Sequence, residues 1–250
     1  MTAATAPPTS SKPYILYTSK LCPYAQRAEL AFHETTEADN VERVEVDILR
    51  PRDPWYLEKV NPVGKVPALE LTGTAGGEKA VIPESLVIAN FVAEAIPSSG
   101  LLSADPVQRA RVRYVIERAA QILQPHYPSA LIKRDEESVS GLFNALEELD
   151  KLLNTVSSSG PFVFGDKLNL ADIAIAPFVA RILITSDPKL GIVDNAVFSP
   201  SVPERFNTEL PRLKAFLEAV KARPSWTKTF DEEYVATVSK ERFTSWHNKK

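Results

Sequence analysis

"YILYTSKLCPYAQRAELAFHET", residues 14–35, joins a β-prone run to a helix-prone one through a cysteine and a proline. "YILYTS" (14–19) is rich in the residues that suit a pleated strand. From Pro23 onward the apolar residues return at helical spacing. Further along, "VERVEVDIL" (41–49) alternates polar and apolar residues, as a half-buried strand does. Strand, helix, strand favours a parallel pair joined by a crossover helix. "KVPALEL" (65–71) and "KAVIP" (79–83) then read as two short strands around a "TGTAGGE" turn, and "ESLVIANFVAEAIP" (84–97) reads as a helix. The glycines of that turn lack the spacing and the following helix of a phosphate-binding loop. The whole predicts a four-stranded mixed sheet with helices packed against it.

The texture changes after Pro97. "SSGLLSADP" (98–106) reads as a linker, and beyond it the pattern predicts helices over 106–128, 135–156, 170–186, 211–221 and 231–242, with no strand alternation. The chain therefore divides into a disordered lead-in (1–12), an α/β domain (13–97), a linker (98–106) and an all-helical domain with a helical tail (107–250). Within the helical part, "KLNLADIAIAP" (167–177) carries a helix-start signal. Asn169 is a natural N-cap and Asp172 can return the hydrogen bond, with Leu168 and Ile173 at the positions of a hydrophobic staple. This reads as a folding device and not as a catalytic carboxylate.

Composition narrows the function classes. The 250 residues are 44% hydrophobic and 24% charged, which is ordinary for a globular chain with a sizeable core. A formal net charge of −3 gives no electrostatic reason to expect nucleic acid or an anionic membrane as the main partner. The basic run "RARVRYVIER" (109–118) reads as a solvated or cleft-lining helix face. One cysteine cannot form an internal disulfide, and the three histidines, His33, His126 and His247, are too far apart in sequence to suggest a metal site. No apolar run is long enough to span a bilayer, and the polar start lacks the core of a signal peptide. The expected location is the cytoplasm.

The chemistry then centres on the lone thiol. Cys22 sits between a strand and a helix, with Pro23 at the first helical position, where proline is favoured. There the sulfur faces unsatisfied helical N–H groups and the positive end of the dipole, a placement that makes thiolate available near neutral pH. No second thiol follows in "CPYA", so a dithiol mechanism is disfavoured and an external thiol must complete any cycle. His33 cannot serve as its base, because 11 residues of helix at about 1.5 Å each separate the two by about 16 Å.

Two further segments bear on a ligand. In "GKVPAL" (64–69), a cis Val66–Pro67 bond would leave the Val66 backbone to pair with a peptide-like ligand, while a trans proline at a strand start is the alternative; the residues alone leave both open. In "IPES" (82–85), Ser85 can cap a helix whose exposed N–H groups suit a carboxylate, and Glu84 can accept from an ammonium.

Cys-Pro-Tyr after the first strand, "NPVGKVPAL", "PES" opening a helix and "LNLADIAIAP" in a helical second half occur here in one order. Over residues 13–230 the chain resembles a cytosolic glutathione transferase, and its cysteine-proline start resembles the omega class and its fungal relatives. The resemblance implies a thioredoxin-like N-terminal domain, a helical C-terminal domain, a cis Val66–Pro67 bond and a homodimer. It implies glutathione as co-substrate, with Cys22 facing its sulfur, Pro23 and Tyr24 beside it, and Val66 and Pro67 meeting the cysteinyl part. Glu84 and Ser85 become the γ-glutamyl anchors, and Lys65 a partner for the glycyl carboxylate. Omega-like sequences often carry a lysine before "NP"; here "RPRDPWYLEKVNP" offers Arg50, Arg52 or Lys59 instead.

The implied activity is thiol transfer and deglutathionylation through a Cys22–glutathione mixed disulfide, with dehydroascorbate reduction as a related reaction and detoxification as the setting. A small hydrophobic or aromatic acceptor is expected in the crevice between the domains, with Tyr24, Tyr114, Arg118, Tyr127 and Phe178 as candidates. The alternatives are a protein that stores hydrophobic or phenolic molecules with little turnover, and a non-catalytic relative. Intact Cys22, Val66–Pro67 and Glu84–Ser85 argue against the last.

Overall fold

Strand β1 (Tyr14–Thr18) leads into α1 (Pro23–His33), and the chain returns through β2 (Val41–Glu45). The computed structural model describes residues 12–72, 79–133, 135–157, 159–192 and 199–247. Residues 1–11 and 73–78, where the sequence suggests a disordered lead-in and a hairpin turn, lie outside the described residues. After β2 come α2 (Pro54–Lys59), β3 (Ala68–Leu71), β4 (Ala80–Pro83) and α3 (Ser85–Ala95). The strands form one sheet in the order β2-β1-β3-β4, with β1 and β2 parallel and the other pairs antiparallel. This is the thioredoxin-like arrangement that the sequence suggests.

The alternation of side chains across the pleat gives the sheet two different faces. On one face Tyr14 meets Phe32 of α1, ring centroids 5.3 Å apart, and α1 packs against α3. On the other, Ile15, Tyr17 and Ala68 share a cluster with Tyr56, Val60, Val66 and Cys22. Tyr17, Trp55 and Tyr56 touch pairwise there, with centroids 5.6–6.0 Å apart. Glu70 is buried on this face and is compensated by the Tyr17 hydroxyl at 3.1 Å and the Lys79 ammonium at 2.6 Å. Burial and the Glu70 charge push the Tyr17 phenol well above its ordinary value.

Two expectations change in this unit. β2 stops at Glu45 and not at residue 49, because the Asp47 carboxylate accepts the Leu49 N–H at 2.8 Å and turns the chain. Helix α2 has no counterpart in the sequence reading. Six residues opened by Pro54 are too few to display a helical period.

The second unit is helical: α4 (Pro106–Leu123), α5 (Tyr127–Lys133), α6 (Glu136–Val156), α7 (Leu170–Thr185), α8 (Val202–Glu209), α9 (Pro211–Lys221), α10 (Pro224–Thr229) and α11 (Glu232–His247). By contacts, one unit runs to Leu102 and takes in Lys228–Phe230, and the other holds Ser103–Thr227 and the chain from Asp231. Of the two prolines of "QPHYPSAL" (124–131), which the sequence marks as a break in the first long helix, Pro125 follows the end of α4 at Leu123, and Pro128 sits in the first turn of α5, which starts at Tyr127, where a proline is tolerated. His126, in that break, lies so close to α6 that a Cβ at Gly141 would come within 2.9 Å of its Nδ1.

Helix α7 is the core of this unit, with nearly every residue buried. Its start is the capping box expected from the sequence. Asn169 Oδ1 accepts the Ala171 N–H at 2.9 Å, and Asp172 accepts from the N–H groups of Asn169 and Val163 at 2.7 Å each. Leu168 and Ile173 are both buried at the staple positions. Complete burial pushes the Asp172 carboxyl up to about 7, against the pull of those N–H groups and of Arg212. The basic run of α4 is spoken for: Arg109 donates to Ser103 and Ala104 carbonyls, Arg111 lies over Phe164, and Arg118 binds Gln121 and Glu148.

Candidate active site

Cys22 is the N-cap residue of α1, with extended backbone (φ −84°, ψ 118°) and Pro23 behind it at the first helical position. Its own N–H donates to Ser19 at 3.0 Å, which closes the turn between strand and helix. The sulfur takes the place of the usual capping oxygen: the Ala25 N–H donates to Sγ at 3.4 Å. Cys22 as a whole residue is 9% exposed, so it is largely screened from bulk solvent. A donated N–H and the helix terminus both favour negative charge on this sulfur.

Facing it is the segment before β3. The Val66–Pro67 bond is cis, and the Val66 carbonyl lies 3.8 Å from Cys22 Sγ. The two carbonyls that precede Val66 are held by side chains. Arg52 Nε donates to Gly64 at 2.9 Å, and Tyr56 Oη and Asn61 Nδ2 donate to Lys65 at 2.8 and 2.9 Å. Arg52 also donates to the carbonyls of Asp47 and Arg50. Gly64 has φ +70°, and a Cβ there would meet Arg52 and Leu57 at 3.2 Å. Of the cations that the sequence offers near this segment, Arg52 therefore holds the loop together, Arg50 pairs with Asp47 at 3.4 Å, and Lys59 and Lys65 are exposed.

At the start of α3 the residues sit differently from expectation. Ser85 is not the cap. It is the first helical residue, 4% exposed, and its Oγ accepts from Arg27 Nη1 at 3.4 Å. The N-cap is Glu84, exposed, with φ +71° and no capping bond from its side chain. The reason is steric: β4 ends on Pro83, and the chain turns into α3 through this one left-handed residue.

Arg27 is the residue that sequence reasoning missed. It belongs to α1 but is only 5% exposed, and its guanidinium lies 5.3 Å from the centroid of the Tyr24 ring. Burial pulls it down to about 10, while the neighbouring Tyr24 and Cys22 pull the other way. Gln26 and Glu29 of the same helix are buried as well, and three polar residues buried on one short helix carry no periodic signal in the sequence. His33 is no base for the thiol. Its Nε2 receives Arg43 Nη2 at 3.0 Å, and burial, with the nearby charges of Arg43 and Lys228, lowers it to about 4.

The acceptor candidates are scattered over several elements. Tyr24 is partly exposed on α1. Tyr114 and Arg118 are one helical turn apart on α4, the first 59% exposed and the second bonded to Glu148 at 3.1 Å. Tyr127 opens α5, and Phe178 is buried in α7. Among the described residues, no group of three or more His, Cys, Asp or Glu is placed to hold a metal ion, and no helix is long and apolar enough to cross a membrane.

Residues 21–95 match the family description "Glutathione S-transferase, N-terminal domain", and residues 108–219 match "Glutathione S-transferase, C-terminal domain". The chain is 30% identical to glutathione S-transferase L1 of Arabidopsis thaliana over 234 residues, 90% of this chain and 85% of that one. Its fold is similar to that of glutathione transferase Omega 1C from Trametes versicolor, with a TM-score of 0.80 and 35% identity over 93% of this chain and 97% of the other. Omega 2S from the same fungus, solved in complex with 2,4-dihydroxybenzophenone, is similar at a TM-score of 0.80 and 30% identity, covering 93% of this chain and all of that one.

Proposed function

Because the chain belongs to the glutathione S-transferase family, we propose that it is a glutathione-dependent thiol transferase in which Cys22 is the nucleophile. The observation that carries this reading is the Cys22 sulfur at a helix start, bonded by the Ala25 N–H and set 3.8 Å from the Val66 carbonyl beside a cis proline. A glutathione laid along Val66 as a short added strand brings its own sulfur to this thiol. Glu84 and Ser85 take the γ-glutamyl ammonium and carboxylate, and Lys65 the glycyl carboxylate.

The cycle has two exchanges. The Cys22 thiolate attacks the glutathione sulfur of a mixed disulfide; the Cys22–glutathione bond forms, and the acceptor leaves as a thiolate that takes a proton from water. A second glutathione thiolate attacks the Cys22–glutathione bond, glutathione disulfide leaves, and the Cys22 thiolate returns. Conjugation of electrophiles is the weaker activity, because this sulfur bonds to glutathione and does not merely hold its thiolate. Dehydroascorbate, which takes two electrons and two protons from two glutathiones, is a second oxidant for the same cycle. A single cysteine is kept reduced in the cytoplasm, where we place a homodimer of the chain.

Mass spectrometry of the intact protein after treatment with glutathione disulfide tests this. A single adduct on Cys22, removed by glutathione, is expected; no adduct on a folded protein overturns the reading. A second reading, storage of phenolic molecules, gains from the 2,4-dihydroxybenzophenone bound by the Trametes neighbour. Micromolar binding of that benzophenone, with no adduct at Cys22, would make storage the better description. Tyr24, Tyr114, Arg118, Tyr127 and Phe178 are the residues we assign to the acceptor in either case.

A further inference from the structure

Cys22 and Ser85 stand at opposite ends of the proposed glutathione site, and one buried cation is tied to both by geometry. Arg27 Nη1 donates to Ser85 Oγ at 3.4 Å, and Cys22 is the N-cap of the same helix, five residues before Arg27. A guanidinium has only donors. Its bond therefore occupies a lone pair of the Ser85 hydroxyl and leaves the O–H to donate elsewhere. A hydroxyl held in this way suits an anion. Burying a guanidinium is expensive, and a leucine or methionine would fill the same place on α1 at no such cost. The bond is long for a charge-assisted one, as in sites whose hydrogen bonds tighten only around a ligand. The guanidinium also faces the Tyr24 ring, 5.3 Å from its centroid.

We propose that Arg27 is a positioning residue that sets the specificity of the site for a γ-glutamyl α-carboxylate: it fixes Ser85 as a donor to that carboxylate and, with the same charge, supports the thiolate of Cys22. The proposal rests on the glutathione reading of the site. Its two arms are independent, one read on ligands and one on the sulfur.

S-methylglutathione and the same peptide built on 4-aminobutyrate, which lacks the α-carboxylate, probe the first arm by calorimetry. The wild-type protein binds S-methylglutathione at least about tenfold more tightly than the truncated peptide. Arg27→Met and Ser85→Ala each bring the two affinities within about twofold, and Arg27→Lys, which keeps the charge, retains most of the preference. The second arm is the pH profile of iodoacetamide alkylation at Cys22. Its midpoint rises by about one pH unit in Arg27→Met, rises less in Arg27→Lys and stays in place in Ser85→Ala. A purely structural arginine moves neither readout in the folded variants. Should Arg27→Met fail to fold, Ser85→Ala and Arg27→Lys still decide. An undiminished preference in Ser85→Ala, or an Arg27→Lys protein whose preference falls as far as that of Ser85→Ala, overturns the proposal. If the wild-type protein itself does not distinguish the two peptides, the glutathione reading of Ser85 fails, while the alkylation arm still tests Arg27 against the sulfur.

Discussion

Helices α7 and α8 begin by one set of rules, and α1 and α3 begin by another. At α7, Asn169 and Asp172 cap each other's backbone, and at α8 Ser201 and Glu204 do the same, with Glu204 accepting the Ser201 N–H at 2.7 Å. The side-chain oxygens of these four residues accept from the N–H groups that start the helices. At α1 the capping atom is a sulfur, which accepts weakly, and at α3 a glutamate with φ +71° occupies the cap and caps nothing. Local chemistry alone would put Ser, Asp or Asn at position 22, and Gly or Asn at position 84. A residue kept where the backbone prefers another is kept for what its side chain does with something outside the helix. Both departures fall in the unit with the proposed glutathione site, and the capping boxes stand in the other.

The largest contrast between the two kinds of start is expected at Cys22. Cys22→Ser supplies a better capping atom, so the melting temperature holds or rises slightly. Thiol transfer in the same variant falls on the order of 10³-fold or more, because serine forms no exchangeable disulfide. Steady-state deglutathionylation beside a thermal melt reads both. Retained transfer with Ser at this position sinks the thiol mechanism.

At α7 the opposite is expected. Asp172→Ala strands two buried N–H groups, those of Asn169 and Val163, and should cost about 3 kcal/mol of stability. Asp172→Asn keeps one acceptor and costs less. Neither changes the pH profile of Cys22 alkylation in protein that remains folded. Urea unfolding gives the first quantity, and a loss below about 1 kcal/mol for Asp172→Ala would mean that the box is not what starts this helix.

Glu84→Gly separates stability from binding at a single residue. Relief of the left-handed strain, worth about 1–2 kcal/mol, exceeds the entropy that glycine adds to the unfolded chain, about 0.5–1 kcal/mol. The variant should therefore melt slightly higher than the wild type. Its affinity for S-methylglutathione should drop about tenfold, the loss of one charge-assisted bond to the γ-glutamyl ammonium. A variant that is both less stable and equally good at binding would show that Glu84 is a structural residue.

Much of this was legible in the sequence because it is local. Strand periodicity, the two capping signals around 169–172 and the proline after Cys22 all act within a few residues; the caps and the proline stand where the pattern placed them, and the four strands form there too, β2 and β3 shorter than expected. What was not legible is what depends on distant partners. Arg27 became a buried cation only when α3 packed on α1 and brought Ser85 to it. Ser85 lost its expected role as cap because Glu84, with φ +71°, takes that place, and the Ser85 hydroxyl accepts instead from Arg27, 58 residues earlier in the chain. Arg52 looked like a ligand cation and proved to tie its own loop, through carbonyls as far away as Gly64. Helix α2 was too short for any period to show.

The far end of α1 carries the smallest expected effect and extends the contrast along the helix. A helix C-terminus favours a cation, yet His33, in the last turn, is held neutral near pH 7, lowered to about 4. Arg43 supplies the charge instead, bonded to Glu29 at 2.7 Å and to His33 Nε2 at 3.0 Å. That contact needs a neutral ring, since an imidazolium has no lone pair to offer. Between about pH 6.5 and pH 4 the unfolded chain binds a proton here that the folded chain refuses, so stability is unaffected above that window and falls as pH drops through it. His33→Gln offers an acceptor to Arg43 without a titrating group. Urea midpoints at pH 7 and pH 5 should fall farther in the wild type than in His33→Gln, and the difference should vanish above pH 7. Equal falls in the two proteins would mean that the nearby carboxylates, and not His33, set the acid sensitivity of this end of α1.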